Sequence, residues 1–305
     1  MKTKQLAIFI ILLGLLVSTI IGCQSQFQPG TYTDDMGREV RIEEVPQRII
    51  SLAPSNTEIL FALGLGDKVV GVTRYCNYPE EAQDKEEVGG FATADLEKII
   101  ALEPDLILAS GTLQKSLVAE LEARGQTVFW LYPCTVNDIL ESFERVGEIT
   151  GSTTAAQQLR KEIEEQIETV QAKIQNITDQ ERPTVFRVMS LDPVGTIGGE
   201  SFQTDEYWIA GGENIFADTE DNYFELDLET LLALDPDIIV ICGEDEEEAK
   251  ARIISQEGWG DLTAVKTGRI VVISCDLICR PSPRIAQTIE QLAKGFHPSA
   301  FSQFD

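Results

Sequence analysis

One sixteen-residue pattern occurs twice in this 305-residue chain, and it restricts the fold more than any other feature. DLEKIIALEPDLILAS runs from Asp95 to Ser110 and DLETLLALDPDIIVIC from Asp227 to Cys242, and the two align without a gap. Each copy reads as a helix opened by Asp-Leu-Glu, a proline-marked turn and a buried strand. Leu106 to Ala109 and Ile238 to Ile241 show no polar alternation, as expected of parallel strands covered on both faces. A further turn and strand follows each copy, at Arg124 to Phe129 and at Thr267 to Val272.

Each half also opens on a strand, Arg48 to Leu52 in the first and Thr184 to Val188 in the second. After the first strand, Ser55 with Glu58 three residues on reads as a capping box, and Gly64 closes the helix. Both halves are therefore strand–helix–strand units of α/β type. Between them, Leu159, Ile163, Ile167, Val170, Ile174 and Ile177 form one apolar stripe. The stripe predicts a single helix over 152–177, about 26 residues and about 39 Å long. Two lobes held by one rigid helix leave a cleft, the usual place for a small-molecule site.

The first residues are a targeting segment. Lys2 and Lys4 precede an apolar run from Leu6 to Gly22, which ends at Ile20-Ile21-Gly22-Cys23. This pattern is that of a bacterial lipoprotein signal cleaved before Cys23, with a lipid on the Cys23 sulfur; the alternative is an uncleaved membrane anchor. The predicted organisation is a signal peptide over 1–22, a flexible tether over 23–31, an N-terminal lobe over 32–150, an interlobe helix over 151–178 and a C-terminal lobe over 179–305. The body then sits on the extracytoplasmic face of the cell membrane.

Composition removes several function classes. With 51 acidic and 24 basic residues the net charge is −27, which opposes binding to nucleic acid or to anionic lipid. The single histidine, His297, prevents a multi-His metal site and reads as a helix-end residue. No phosphate-binding loop is present, since Val265 stands where the second glycine would be needed before Lys266-Thr267. The pairs Gly198-Gly199 and Gly211-Gly212 read as turns. Beyond Cys23, the cysteines Cys76, Cys134, Cys242, Cys275 and Cys279 match no common zinc or iron–sulfur spacing. They are expected as buried or free thiols with at most two bridges.

Three groups of residues are candidates for function. Glu97 and Glu229 hold equivalent places in the first turn of each repeat helix, where a carboxylate complements the helix dipole. Two such acids, one per lobe, could also dock onto a symmetric basic partner. Tyr75, Tyr78 and Phe91 precede the first repeat, and Tyr223 and Phe224 the second. They serve either core packing or the flat apolar walls of a ligand site. Asp276, Arg280 and Arg284 frame the proline-stiffened loop CDLICRPSPR, as a surface ion pair or as ligand donors.

The lipoprotein signal, QRIISLAPSNTEILFALGLGDKVVGVT, CNYP, the repeated Asp-Leu-Glu with Ala-Leu-x-Pro-Asp, GGENIF and RPSPRI together resemble a bacterial ABC-transporter substrate-binding protein. The likeness covers nearly all of residues 40–298 and is to the helix-linked class that carries cobalamin, siderophores and haem, nearest to its cobalamin branch. That resemblance implies two Rossmann-like lobes with central parallel sheets, joined by one long helix with little hinge closure. It implies that Glu97 and Glu229 dock to arginines of the permease. It also implies a ligand site made by Tyr78, Phe91, Tyr223, Asp276 and Arg280, with Phe91 and Tyr223 standing where the branch has tryptophans. The expected function is capture of cobalamin or a related corrinoid for a permease and its ATPase, with no enzymatic step. Cobalamin is then cargo and not a cofactor, no protein–metal bond is needed, and the chain is expected to act as a lipid-anchored monomer. The alternatives are an iron siderophore or haem as cargo, or an extracytoplasmic two-lobe transferase. The transferase would need a nucleotide-phosphate site or a poised acid–base pair.

Overall fold

The computed structural model describes residues 27–302. The predicted signal peptide over 1–22, the lipidation site Cys23 and the start of the tether lie outside the described residues. The chain enters through an antiparallel hairpin of β1 (Gly30–Thr33) and β2 (Glu39–Ile42). Gly30 and Thr31, assigned to the tether on polarity, are therefore strand, because they pair with Ile42 and Arg41.

The first lobe runs β3 (Ile49–Ser51), α1 (Pro54–Ala62), β4 (Val69–Val72), β5 (Glu86–Glu87), α2 (Leu96–Ala101), β6 (Leu106–Ser110), α3 (Lys115–Ala123) and β7 (Val128–Leu131). Its sheet has the order β5-β4-β3-β6-β7 and is parallel throughout. Next come α4 (Val136–Thr150) and α5 (Thr153–Ile174). The second lobe runs β8 (Thr184–Val188), β9 (Ser190–Leu191), β10 (Val194–Ile197), α6 (Phe202–Ile209), β11 (Glu213–Asn214), β12 (Tyr223–Leu226), α7 (Leu228–Leu234), β13 (Ile238–Cys242), α8 (Glu246–Ile254), α9 (Thr263–Lys266), β14 (Ile270–Ile273), α10 (Cys275–Ile278), α11 (Ile285–Phe296) and α12 (Pro298–Phe301). Its parallel sheet has the order β11-β8-β13-β14, and a small antiparallel sheet β12-β10-β9 lies beside it.

The repeat does the same mechanical work in both lobes. Asp95 and Asp227 cap α2 and α7: Asp95 accepts from the Glu97 and Lys98 amides at 3.0 and 3.1 Å, and Asp227 from the Thr230 amide at 2.7 Å. The residue before each proline, Glu103 or Asp235, turns the chain at positive φ, 48° and 40°. The aspartate after each proline then pins the entry to the first strand of its own lobe. Asp105 accepts from the Gln47 and Arg48 amides at 2.7 and 2.9 Å, and Asp237 from the Thr184 amide at 2.8 Å. The strands that follow, β6 and β13, are central in their sheets, which is why their apolar runs do not alternate.

Two local expectations need correction. Helix α1 has no capping box: Ala53 is its N-cap, with no side-chain bond, and Pro54 takes the first helical position. Ser55 and Glu58 are thus inside the helix and buried, and Glu58 is used elsewhere. The long helix is Thr153–Ile174, shorter than the 152–177 stripe and the 151–178 segment, because Gln175 and Asn176 turn the chain. Ile177 packs on the core from beyond that turn.

Nor is α5 a lone strut. It folds back on α4 through Gly151, at φ +73°, and a Cβ on Gly147 would come within 2.5 Å of the Ala156 Cβ. Its other flank meets α11, where Lys173 lies 3.5 Å from Glu290. Ala156, Ile163, Ile167, Val170 and Ile174 join a continuous apolar cluster with Leu106 of the first sheet and Ile238 of the second. The two sheets are therefore fastened to a shared helical layer.

Candidate functional site

In open α/β sheets, ligands sit beyond the carboxyl ends of the strands. Here those ends face each other from the two lobes. A cavity of about 370 Å³ lies between them, walled by Pro54 after β3, Tyr75 after β4, Phe91 before α2 and Ser110 at the end of β6. The second lobe contributes Cys275, Asp276, Cys279 and Arg280, all from α10 and the residues just after it. Tyr75 is 53% exposed and Phe91 is half-buried, so both rings are open to the cleft.

The floor of this cleft is a network of charges crossing between the lobes. Asn77 Nδ2 donates to Asp276 Oδ2 at 2.6 Å. Arg280 Nη1 donates to Glu58 Oε1 at 3.1 Å and to Asn77 Oδ1 at 2.8 Å, and Nη2 to the Tyr75 carbonyl at 3.2 Å and to Asp276. Arg284 Nε and Nη2 donate to the two oxygens of Glu58, and Nη2 also to the Asp276 carbonyl at 3.0 Å. Burial opposes the charge on Arg284, but the bond and charge of Glu58 outweigh it and hold its pKa above the ordinary value. Further along the seam, Asn222 Nδ2 donates to Tyr132 Oη at 3.3 Å, and the Val136 amide to Asp205 at 2.8 Å.

The sequence candidates divide among these places. Phe91, Asp276 and Arg280 share the interlobe cavity. Tyr78 lines a neighbouring hollow of about 710 Å³, with its ring 4.3 Å beneath the Arg284 guanidinium. Tyr223 lies on β12 and lines neither cavity; it is exposed, with its hydroxyl 3.4 Å from Ser190 Oγ and from Glu225 Oε1. It stands one residue from the Asn222–Tyr132 contact across the seam. Four of the five N–H groups of Arg280 are spent on protein acceptors, so this residue braces the cavity wall more than it offers donors to a guest.

Two residues of the network, Asn77 and Glu58, were not read from sequence as site residues, Glu58 having been expected only in a capping box. Asn77 carries no signal beyond its place in the CNYP loop. Glu58 did carry one: α1 buries Ser55 through Leu60 on successive sides, and an acid in such a helix needs a cation. RPSPR places two arginines four residues apart in one loop.

Glu97 and Glu229 are both exposed at the second position of their helices, α2 and α7, and neither carboxylate has an ion-pair partner among the described residues. Both helix starts are on the carboxyl-end side of their sheets, the side that carries the cleft. His297 caps α11 and its Nε2 lies 2.9 Å from the Gly211 carbonyl. All five described cysteines are free thiols, and among the described residues no group of three or more His, Cys, Asp or Glu is placed to hold a metal ion. No helix among them is long and apolar enough to cross a membrane.

Comparison with known proteins gives a consistent picture. The periplasmic binding protein family matches residues 49–277. The chain is 35% identical over 285 residues to the uncharacterised ABC transporter substrate-binding lipoprotein YvrC of Bacillus subtilis, covering 90% of this chain and 88% of the relative. It is 30% identical over 260 residues to the vitamin B12-binding protein of Vibrio parahaemolyticus, covering 83% of this chain and 90% of that one. Among solved structures, the periplasmic vitamin B12-binding protein BtuF of Vibrio cholerae superposes with a TM-score of 0.73 at 29% identity, over 85% of this chain and 99% of that chain.

Proposed function

The chain belongs to the periplasmic binding protein family, extracytoplasmic solute carriers that serve ABC permeases and their ATPases and perform no chemistry, and on that premise we propose that its interlobe cleft captures cobalamin or a related corrinoid. The observation that carries this reading is the cavity wall itself. Phe91 and Tyr75 present aromatic surface, while Ser110 and Asp276 supply a few polar atoms. A corrin is a broad flat ring with amide edges, and such rings bind by apolar contact with aromatic walls plus scattered hydrogen bonds. No protein–metal bond is needed. A guest of that size would fill the cavity and extend past its rim toward the Asn222–Tyr132 seam, which gives Tyr223 a place beside it.

In the same reading, the chain is held to the membrane by a lipid on Cys23, as the leader pattern and its likeness to the Bacillus lipoprotein support. It works as a monomer, and Glu97 and Glu229 meet the permease. The alternative cargo is haem or a ferric siderophore, favoured by one feature, the exposed Tyr75 phenol at the cavity mouth.

Titration with cyanocobalamin, followed by tryptophan fluorescence, tests the assignment. The expected result is saturation below about 10 μM, weakened about tenfold by Phe91→Ala through loss of a ring contact of about 1.4 kcal/mol. Absence of saturable binding overturns the corrinoid reading. Saturable haemin binding in its place moves the assignment to haem within the same family.

A further inference from the structure

Three thiols converge at the carboxyl end of the second sheet. Cys242 is the last residue of β13, Cys275 the first of α10, and Cys279 the residue that closes α10. Strand pairing sets Cys242 opposite Ile273, so the chain leaving β14 passes directly over it. The Cys242 thiol is within hydrogen-bonding reach of both Cys275 and Cys279. Cys279 is exposed, the other two are half-buried, and Cys275 and Cys279 line the interlobe cavity. Solutes that enter the cleft reach this cluster.

Beneath it lies a buried guanidinium with no hydrogen bond to a carboxylate. Arg187 on β8 is 1% exposed. Its Nε donates to Gln203 Oε1 at 3.0 Å, Nη1 to the Val188 carbonyl at 2.6 Å, and Nη2 to Cys279 Sγ at 3.6 Å. The neighbouring acid, Glu206, is fully buried and neither of its oxygens has a hydrogen-bond partner. Burial raises its pKa well above the ordinary carboxylate range, against the opposing pull of the Arg187 charge. Arg187 does reach Cys242. The hydrogen bond from Cys279 does most to bring the Cys242 thiol down to about 5, against burial and with help from Cys275 and Arg187. The same bond pushes the Cys279 thiol up. A thiol held below its usual range beside one held above it is the arrangement of an attacking sulfur and its resolving partner.

We propose that Cys242 and Cys279 are a redox-active pair that closes into a disulfide in the wall of the binding cleft, with Cys275 outside the bond. The oxidant is a small-molecule or protein disulfide, a class found in oxidising extracytoplasmic compartments. The Cys242 thiolate attacks one sulfur of that disulfide, its S–S bond breaks, and the other half leaves as a thiolate with the electron pair. Cys279 gives its proton to water and attacks the Cys242 sulfur, and the second half of the oxidant leaves as a thiolate. Two protein thiols are oxidised and one external disulfide is reduced to two thiols. The new bond ties β13 to the loop that carries Asp276 and Arg280, the residues that contact Asn77, Tyr75 and Glu58 across the cleft. Closing it fixes one wall of the site.

The test uses the whole protein, reduced and then equilibrated with glutathione and its disulfide at a series of ratios. Free thiols are alkylated, and intact mass and peptide mapping read the outcome. The wild type and Cys275→Ser should both lose two hydrogen atoms and yield a linked peptide pair joining Cys242 to Cys279. Cys242→Ser and Cys279→Ser should not. If Cys76, Cys134, Cys242, Cys275 and Cys279 all remain alkylatable at every ratio, or if the mapped bond joins any other pair, the proposal fails. Wild-type mapping decides this even where a variant folds poorly. Cyanocobalamin is absent throughout, so the result is independent of the corrinoid assignment.

Discussion

The carboxylate of Glu58, on the first helix of one lobe, is gripped in a two-pronged fork by Arg284 of the other, with Nε to Oε2 at 2.8 Å and Nη2 to Oε1 at 2.6 Å. The Glu58 side chain is 1% exposed, and Arg280 reaches the same oxygen from a second direction. Glu58 therefore serves two guanidinium groups at the floor of the cleft, with Asp276 a second partner of Arg280, and the lobes are joined by charge as well as by the α4–α5 layer.

Removing that charge should be expensive. Glu58→Gln keeps the shape but leaves both arginines facing each other without a buried anion. Taking one partner from a buried ion pair costs about 3–5 kcal/mol. For a chain of this size that corresponds to a fall in Tm on the order of 10 °C, which thermal unfolding followed by circular dichroism would detect. A variant that melts with the wild type would show that the network is solvated and contributes nothing.

The two exposed acids at the starts of α2 and α7 lead to the opposite expectation for folding. Glu97→Ala with Glu229→Ala removes dipole-complementing charges worth only about 0.3–1 kcal/mol each. Stability and cyanocobalamin affinity should be nearly unchanged, while uptake through the permease, or stimulation of its ATPase in vesicles, should be lost. A collapse of affinity in the purified double variant would place these acids in the pocket and refute the docking role.

Glu206 makes a pH prediction whose sign follows from its burial. Its folded pKa is raised by desolvation, so the folded protein keeps a proton that the unfolded chain gives up above the ordinary value of 4.5. The native state then binds more protons than the unfolded one, and stability falls as pH rises from that value through the raised folded pKa. Glu206→Gln removes this term and should grow more stable than the wild type with increasing pH, by up to about 1.4 kcal/mol per unit. Urea unfolding from about pH 5 to pH 8 measures the difference. Parallel profiles for the two proteins would mean that the Glu206 proton is not held.

Much of this architecture is written locally in the chain. The paired Asp-Leu-Glu and Ala-Leu-x-Pro-Asp segments specify cap, turn and central strand within sixteen residues each, because those features depend on backbone geometry and hydrophobic period. The positions of Glu97 and Glu229 at exposed helix starts follow from the same pattern, and so does the placing of Phe91 just ahead of α2. The tertiary structure decided what no local pattern could. Ser55 and Glu58 have the spacing of a capping box, yet Glu58 serves arginines more than two hundred residues away. Arg280 looks like a free donor until the fold surrounds it with Glu58, Asn77, Tyr75 and Asp276. Cys242 meets Cys275 and Cys279 only because β13 and β14 pair in one register. Sequence periodicity reports which face of an element is apolar. Which charges and thiols meet is set by how the loops at the strand ends are brought together, and that depends on packing across the whole chain.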